Sequence, residues 1–283
     1  MLKDNILLST FSIAKYNYKK LFNNPRFYIL IVLQFIFLFY LINPFLQLSK
    51  SVGIKITPWL FPHITGNHSI QILMMLGVLI LFADAPFIDD EYNYLIIRCG
   101  RRKWVLGQIF YIITASFMYF FIMFLLTVIL IVPNIFISLE WGKLLNTMAN
   151  TSDQIGQLLI YNNILLKFTP IQATGISIFL SSLGGIVLGL VMFVLNFKSE
   201  KSPGFIVAGA ICFIDYTIVM NVMDNIKYIS PISLTRLSNL TVHSFGINTP
   251  TVQYAIRFQI VLIVILAIIS IAMVGKKSVQ SKL

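Results

Sequence analysis

Of 283 residues, 58% are hydrophobic and only 11% are charged, where an ordinary soluble domain carries about 25% charged residues. With a mean hydropathy of +0.86, that balance excludes a water-facing globule and predicts an integral membrane protein. A net charge of +11 would suit a nucleic-acid binder in a soluble chain. In a membrane chain such an excess belongs to cytoplasmic loops, so no nucleic-acid partner is expected.

The chain begins with NILLSTFSIAKYNYKKLFNNPRF, in which Leu7, Phe11, Ala14, Tyr18, Leu21 and Phe22 recur at helical spacing while Lys15, Asn17, Lys19 and Lys20 sit largely off that stripe. This pattern predicts an amphipathic helix lying in the inner membrane interface, within a 1–26 elbow. Asn23-Asn24-Pro25 should end it and turn the chain into the bilayer. The plainer alternative is a frayed basic tail. Because Met1 to Lys20 lacks an unbroken apolar core, no cleavable signal is expected.

Six apolar stretches follow, at about 27–48, 70–87, 104–132, 174–197, 205–222 and 254–274, each near the roughly 20 residues that a spanning helix requires. With the N-terminus inside, cytoplasmic segments hold fourteen of the 21 Lys and Arg residues, which the positive-inside rule favours. The expectation is therefore an all-α, polytopic cell-membrane protein with six transmembrane helices, both termini cytoplasmic, folded as one domain over 1–283.

The expected outer loops differ in character. The first is rich in Pro and Gly, the second (133–171) is long and semi-apolar and suits short helices on the outer leaflet or over the bundle, and the third carries SPISL, Ser230 to Leu234. His63, His68 and His243 all fall in these loops, where a shared metal site is the sharp reading and loop packing the plain one. Cys99 and Cys212 fall in a cytoplasmic loop and a span, which speaks against a disulfide. The terminal Ser-Lys-Leu matches a peroxisomal address that a polytopic protein would not ordinarily use.

Motifs for hydrolysis are absent: no G-x-x-x-x-G-K-[ST], H-E-x-x-H or G-x-S-x-G occurs. Asp215, within the fifth stretch, should face the bundle, either as a substrate or proton contact or as a polar tie between helices or protomers. Ser181, Gly185 and Gly189 repeat every four residues in the fourth stretch and would let a helix approach closely, inside the chain or across a protomer contact.

One segment gathers charge: FIDDEYNYLIIRCGRRKWVLGQIF, residues 87–110. Asp89, Asp90 and Glu91 would open a short helix and Arg98 would close it, an order that complements the helix dipole, with Gly100 as its C-terminal cap. Tyr92, Leu95 and Ile96 would share an apolar face. A plainer reading leaves Arg101, Arg102 and Lys103 as anchors to anionic headgroups.

This layout resembles the permease subunits of type-2 ABC transporters: an interfacial N-terminal helix, six spans, SPISL before the last one, and the charged helix with Glu91, Arg98, Gly100, Arg101, Arg102, Lys103, Trp104 and Gly107. The resemblance implies that 88–103 is a coupling loop docking on a separate ATPase, present in two copies and holding the ATP and Mg that this chain does not bind. It also implies a second permease, identical or sister. Such small permeases commonly export peptides, antibiotics or lipids, so an amphipathic cargo such as an antimicrobial peptide is expected, and no enzyme activity in this chain. The rival readings are a secondary carrier or channel using Asp215, and a membrane-embedded enzyme or assembly protein.

Overall fold

The computed structural model describes residues 6–86, 92–151, 158–198, 203–219, 228–240 and 250–276. Asp89, Asp90, Glu91 and His243 lie outside the described residues. Helix α1 (Ile6–Asn23) stops at Asn24, whose side-chain oxygen accepts the Arg26 N–H at 3.0 Å and caps α2 (Pro25–Val52). Pro25 opens α2, where its missing donor would have been unpaired in any case. There follow α3 (Phe61–Gly66), α4 (His68–Leu81), α5 (Tyr92–Cys99), α6 (Arg101–Ile131), α7 (Lys143–Thr151), α8 (Asn162–Lys167), α9 (Pro170–Lys198), α10 (Pro203–Val219) and α11 (Val252–Lys276). No strand occurs among the described residues; an isolated parallel bridge joins Ile56 and Ile135.

Helices α2, α6, α9 and α11 are long and apolar enough to cross a membrane. The other two expected spans are shorter apolar helices. With 14 residues in α4 and 17 in α10, they reach about 21 Å and 25 Å at 1.5 Å per residue, against a hydrocarbon core of about 30 Å. Local chemistry sets the limits of α4. Asn67 begins it by accepting the Ile70 N–H at 3.4 Å, and the helix gives out before Asp84, which pairs with Arg26 at 2.9 Å on the surface.

Helix α9 is the axis of the bundle: 72% of its most apolar window is buried, against 11% for α11. The small-residue face explains how it sits there. A Cβ at Gly189 would stand 2.8 Å from Ile112 and 3.0 Å from Phe82, and one at Gly185 would stand 3.2 Å from Phe120. That face is therefore used within the chain, against α6 and the end of α4. Ser181 lies on it too, accepting from Gln71 of α4 at 3.1 Å.

Helix α1 lies along the first half of α6. Ile13 fills the notch at Gly107, where a Cβ would stand 2.6 Å from its Cγ2. Asn17 donates to Gln108 at 2.8 Å and Tyr18 to Thr114 at 2.8 Å. Asn17, which the sequence pattern assigns to the polar face, is buried, while Phe11 and Phe22 are exposed. A buried amide satisfied by a second amide explains the exchange, because the hydrogen bond between helices offsets the desolvation.

Gly107→Leu should pry α1 from α6 and cost roughly 1–3 kcal/mol, the usual range for overpacking. Gly175→Ala, where a new Cβ meets nothing within 4 Å, should be neutral or slightly stabilising. Thermal unfolding of the detergent-solubilised variants separates the two.

Candidate functional site

Two groups of residues stand out, at opposite ends of the bundle. The first is the corner between α5 and α6. Gly100 takes φ 83° there, a conformation strained for side-chain residues, and donates its N–H to Ile96 O at 2.9 Å. This arrangement ends α5 and starts α6 at Arg101. Leu95 and Ile96 pack toward the core, while Tyr94 is 63% and Ile97 84% exposed. Arg98 and Arg102 are exposed beside them, and Arg101 and Lys103 are half-buried. Trp104 locks the corner down: it is buried, with ring centroids 6.0 Å from Phe193 and 6.3 Å from Phe197 of α9.

The second group surrounds Asp215, which is fully buried near the far end of α10. Its partner is Arg236, equally buried, from the connection between α10 and α11. The guanidinium donates to Asp215 Oδ2 at 2.6 Å and to Oδ1 at 3.3 Å, and Ser230 adds a donor to Oδ1 at 3.2 Å. Arg236 also donates to Ser233 Oγ at 3.0 Å and meets His68 Nδ1 at 2.6 Å. With its amide oxygen turned to the guanidinium, Asn239 accepts from Nη2 at 2.9 Å and Nε at 3.0 Å. A guanidinium cannot accept, so His68 Nδ1 accepts here and carries no proton. Both carboxylate oxygens and all three guanidinium nitrogens have partners, which is what makes a buried pair tolerable.

Arg236 is the residue whose role sequence reasoning misses. By position it is one more cation of the connection between α10 and α11, yet it is buried there as the counter-ion of Asp215. The available signal was chemical: a buried acid requires a cation, and TRLSN sets an arginine among short hydroxyl and amide side chains.

Three connections meet at this end and form a cap. Thr57 donates to Trp141 O at 2.7 Å, Trp59 to Ser138 O at 2.7 Å, Ser238 to Gly66 O at 2.6 Å and Asn163 to Ser238 O at 3.1 Å. His63 sits inside the cap, fully buried, accepting the Tyr161 N–H at 3.1 Å with its ring stacked on Tyr161 and edge-on to Trp141. His63 and His68 therefore serve separate partners. No group of three or more His, Cys, Asp or Glu suited to a metal occurs among the described residues. Cys99 and Cys212 are both free thiols. No protein-family model and no curated protein matches the chain.

Burial pushes the His63 imidazole down to about 3 from its ordinary 6.5. The unfolded chain therefore binds a proton that the folded chain refuses whenever the pH lies between those values, and stability should fall as pH drops through that window. Melting temperatures of the wild type and His63→Gln, measured from pH 7.5 to pH 5, should show a shallower decline in the variant; equal slopes would contradict the assignment.

Asp215→Ala or Arg236→Ala should each cost roughly 3–5 kcal/mol by leaving a buried charge alone, while the double change Asp215→Leu with Arg236→Met should cost less than either. Thermal unfolding of the three variants reads this directly. A double variant as damaged as the sum of the singles would show that the pair is not the unit.

Proposed function

We propose that the chain is the membrane-spanning subunit of an ATP-driven exporter of the type-2 ABC kind, taking its energy from a separate ATPase. The observation that carries this reading is α5. One of its faces packs on the bundle, and the other presents Ile97 and Tyr94 to solvent between Arg98 and Arg102. An aliphatic side chain 84% exposed, close in sequence to the exposed Arg98 and Arg102, has the composition of a small docking surface that mixes apolar and charged groups.

On this reading α2, α4, α6, α9, α10 and α11 are the six spans, with α4 and α10 completed by the cap and by flanking turns. Helix α5 and both termini are cytoplasmic, consistent with the distribution of Lys and Arg. Two ATPase copies and a second permease complete the assembly, and ATP and Mg reside on the ATPase. Closure of the ATPase pair would press on α5, and α6, which starts one residue later and continues to the cap, would carry the displacement through the membrane. Gly100 is the joint. The apolar, aromatic bundle suits an amphipathic or hydrophobic cargo such as an antimicrobial or toxin-like peptide, and the biological setting would then be resistance or immunity to that cargo.

The rival carrier needs an acid free to exchange a proton or contact a solute. Asp215 is instead held by Arg236 and Ser230, an arrangement that favours a structural tie.

The test is co-purification from the native host. Wild-type chain in mild detergent should bring down a soluble protein bearing a phosphate-binding loop, and Ile97→Asp or the pair Arg98→Glu with Arg101→Glu should lose it while retaining wild-type melting behaviour. Absence of any nucleotide-binding partner across several mild detergents would overturn the proposal in favour of a carrier.

A further inference from the structure

The outward face of α1 carries a pattern that neither the fold nor ATP coupling requires. Phe11, Lys15, Lys19 and Phe22 are all exposed, the two rings at 60% and 43%. At 3.6 residues per turn they fall within an arc of about 80°, two cations between two aromatic rings. The helix cannot roll to hide them. Its other face is fastened to α6 through Ile13 in the Gly107 notch and through the Asn17–Gln108 and Tyr18–Thr114 hydrogen bonds.

Among the described residues no acid is paired with Lys15 or Lys19. Helix α1 contains no Asp or Glu, and Asp84, just past the end of α4, is already paired with Arg26 at the start of α2. Water alone would leave two phenyl rings wet, and hydrocarbon alone would strand two ammonium groups. The boundary between headgroups and acyl chains satisfies both, because the lysine stems extend to the phosphate level while the rings enter the chains.

The depth of α1 agrees. Helix α6 has 31 residues, about 46 Å at 1.5 Å per residue, and exceeds a hydrocarbon core of about 30 Å. Measured back from Ile131, about 20 residues of apolar slab end near Tyr111. The contacts of α1 on α6 run from Gly107 to Thr114, which brackets that level.

We infer that the Phe11–Lys15–Lys19–Phe22 face of α1 is a binding surface for acidic phospholipid, with Lys15 and Lys19 on the headgroup phosphate and Phe11 and Phe22 among the acyl chains. The two rings commit the site to lipid, since a free phosphate has no use for them. The inference rests on the chain being embedded in a membrane and is independent of any ATPase partner.

The experiment uses the full chain, purified and delipidated in neutral detergent, and follows its melting temperature on titration with short-chain phosphatidylglycerol, short-chain phosphatidylcholine or inorganic phosphate. Wild type should be stabilised saturably by phosphatidylglycerol and much less by phosphatidylcholine. The preference should weaken roughly fivefold in apparent affinity per lysine removed, as for juxtamembrane basic residues, so Lys15→Gln with Lys19→Gln should nearly abolish it. Phe11→Ser with Phe22→Ser should weaken the response to both lipids. Lys143→Gln with Lys167→Gln, at the other end of the bundle, should retain the preference. All these side chains are exposed, and a monodisperse elution profile verifies folding. Equal stabilisation by the two lipids, a preference surviving the loss of both lysines, or inorganic phosphate matching phosphatidylglycerol would each overturn the inference. Failure of the ATPase co-purification would leave it standing.

Discussion

The ion pair between Asp215 and Arg236 is the constraint on which the cap depends. Two of the apolar helices, α4 and α10, are short for a bilayer, and the pair joins both of them to the connection before α11: Asp215 belongs to α10, while His68 opens α4 and accepts from the same guanidinium. From Arg236 the chain of contacts runs on through Ser238 to Gly66 and Asn163, and through the His63 stack to Trp141. Buried charges are tolerated here because both carboxylate oxygens and all three guanidinium nitrogens have partners. That saturation also makes the arrangement selective, since a cap displaced by even a fraction of a hydrogen-bond length would leave a buried charge without its partner.

The opposite end is built differently. Polar interactions there are at the surface, as in the Arg26–Asp84 pair, or lie between helix faces, as in Asn17–Gln108. Apolar side chains on α5 and α1 are left exposed there. One end is closed on itself and the other is unfinished, and α6 joins them as a continuous helix from Arg101 to Ile131. On the proposed reading that asymmetry suits a subunit that receives force at one end and controls access at the other.

Much of this could be read from the amino-acid sequence because hydropathy and turn chemistry are local. The long apolar helices, the break at Asn24-Pro25 and the end of α5 at Gly100 each follow from a few neighbouring residues. The burial of Asp215 was also legible, since a lone acid in an apolar run has nowhere else to go. Its partner was not, because pairing across 21 residues depends on how the connection folds back, and an arginine in a polar stretch looks solvated. Asn17, the buried His63 and the half-buried His68 were hidden for the same reason: each is placed by a partner 91 or more positions away in the chain, Gln108, Tyr161 or Arg236. The small-residue repeat at Ser181, Gly185 and Gly189 fell between these cases. Its purpose was legible as close approach, while the identity of the approaching helix required the fold.

Hydrogen–deuterium exchange on the wild type and Asp215→Asn tests the central claim most directly, because it locates a loss of order. If the ion pair holds the cap on the bundle, exchange should quicken in 228–240, in the first turn of α4 and in the Tyr161 region, and stay unchanged in the interior of α6 and α9. Unchanged exchange in the cap, or a uniform increase along the whole chain, would contradict that claim.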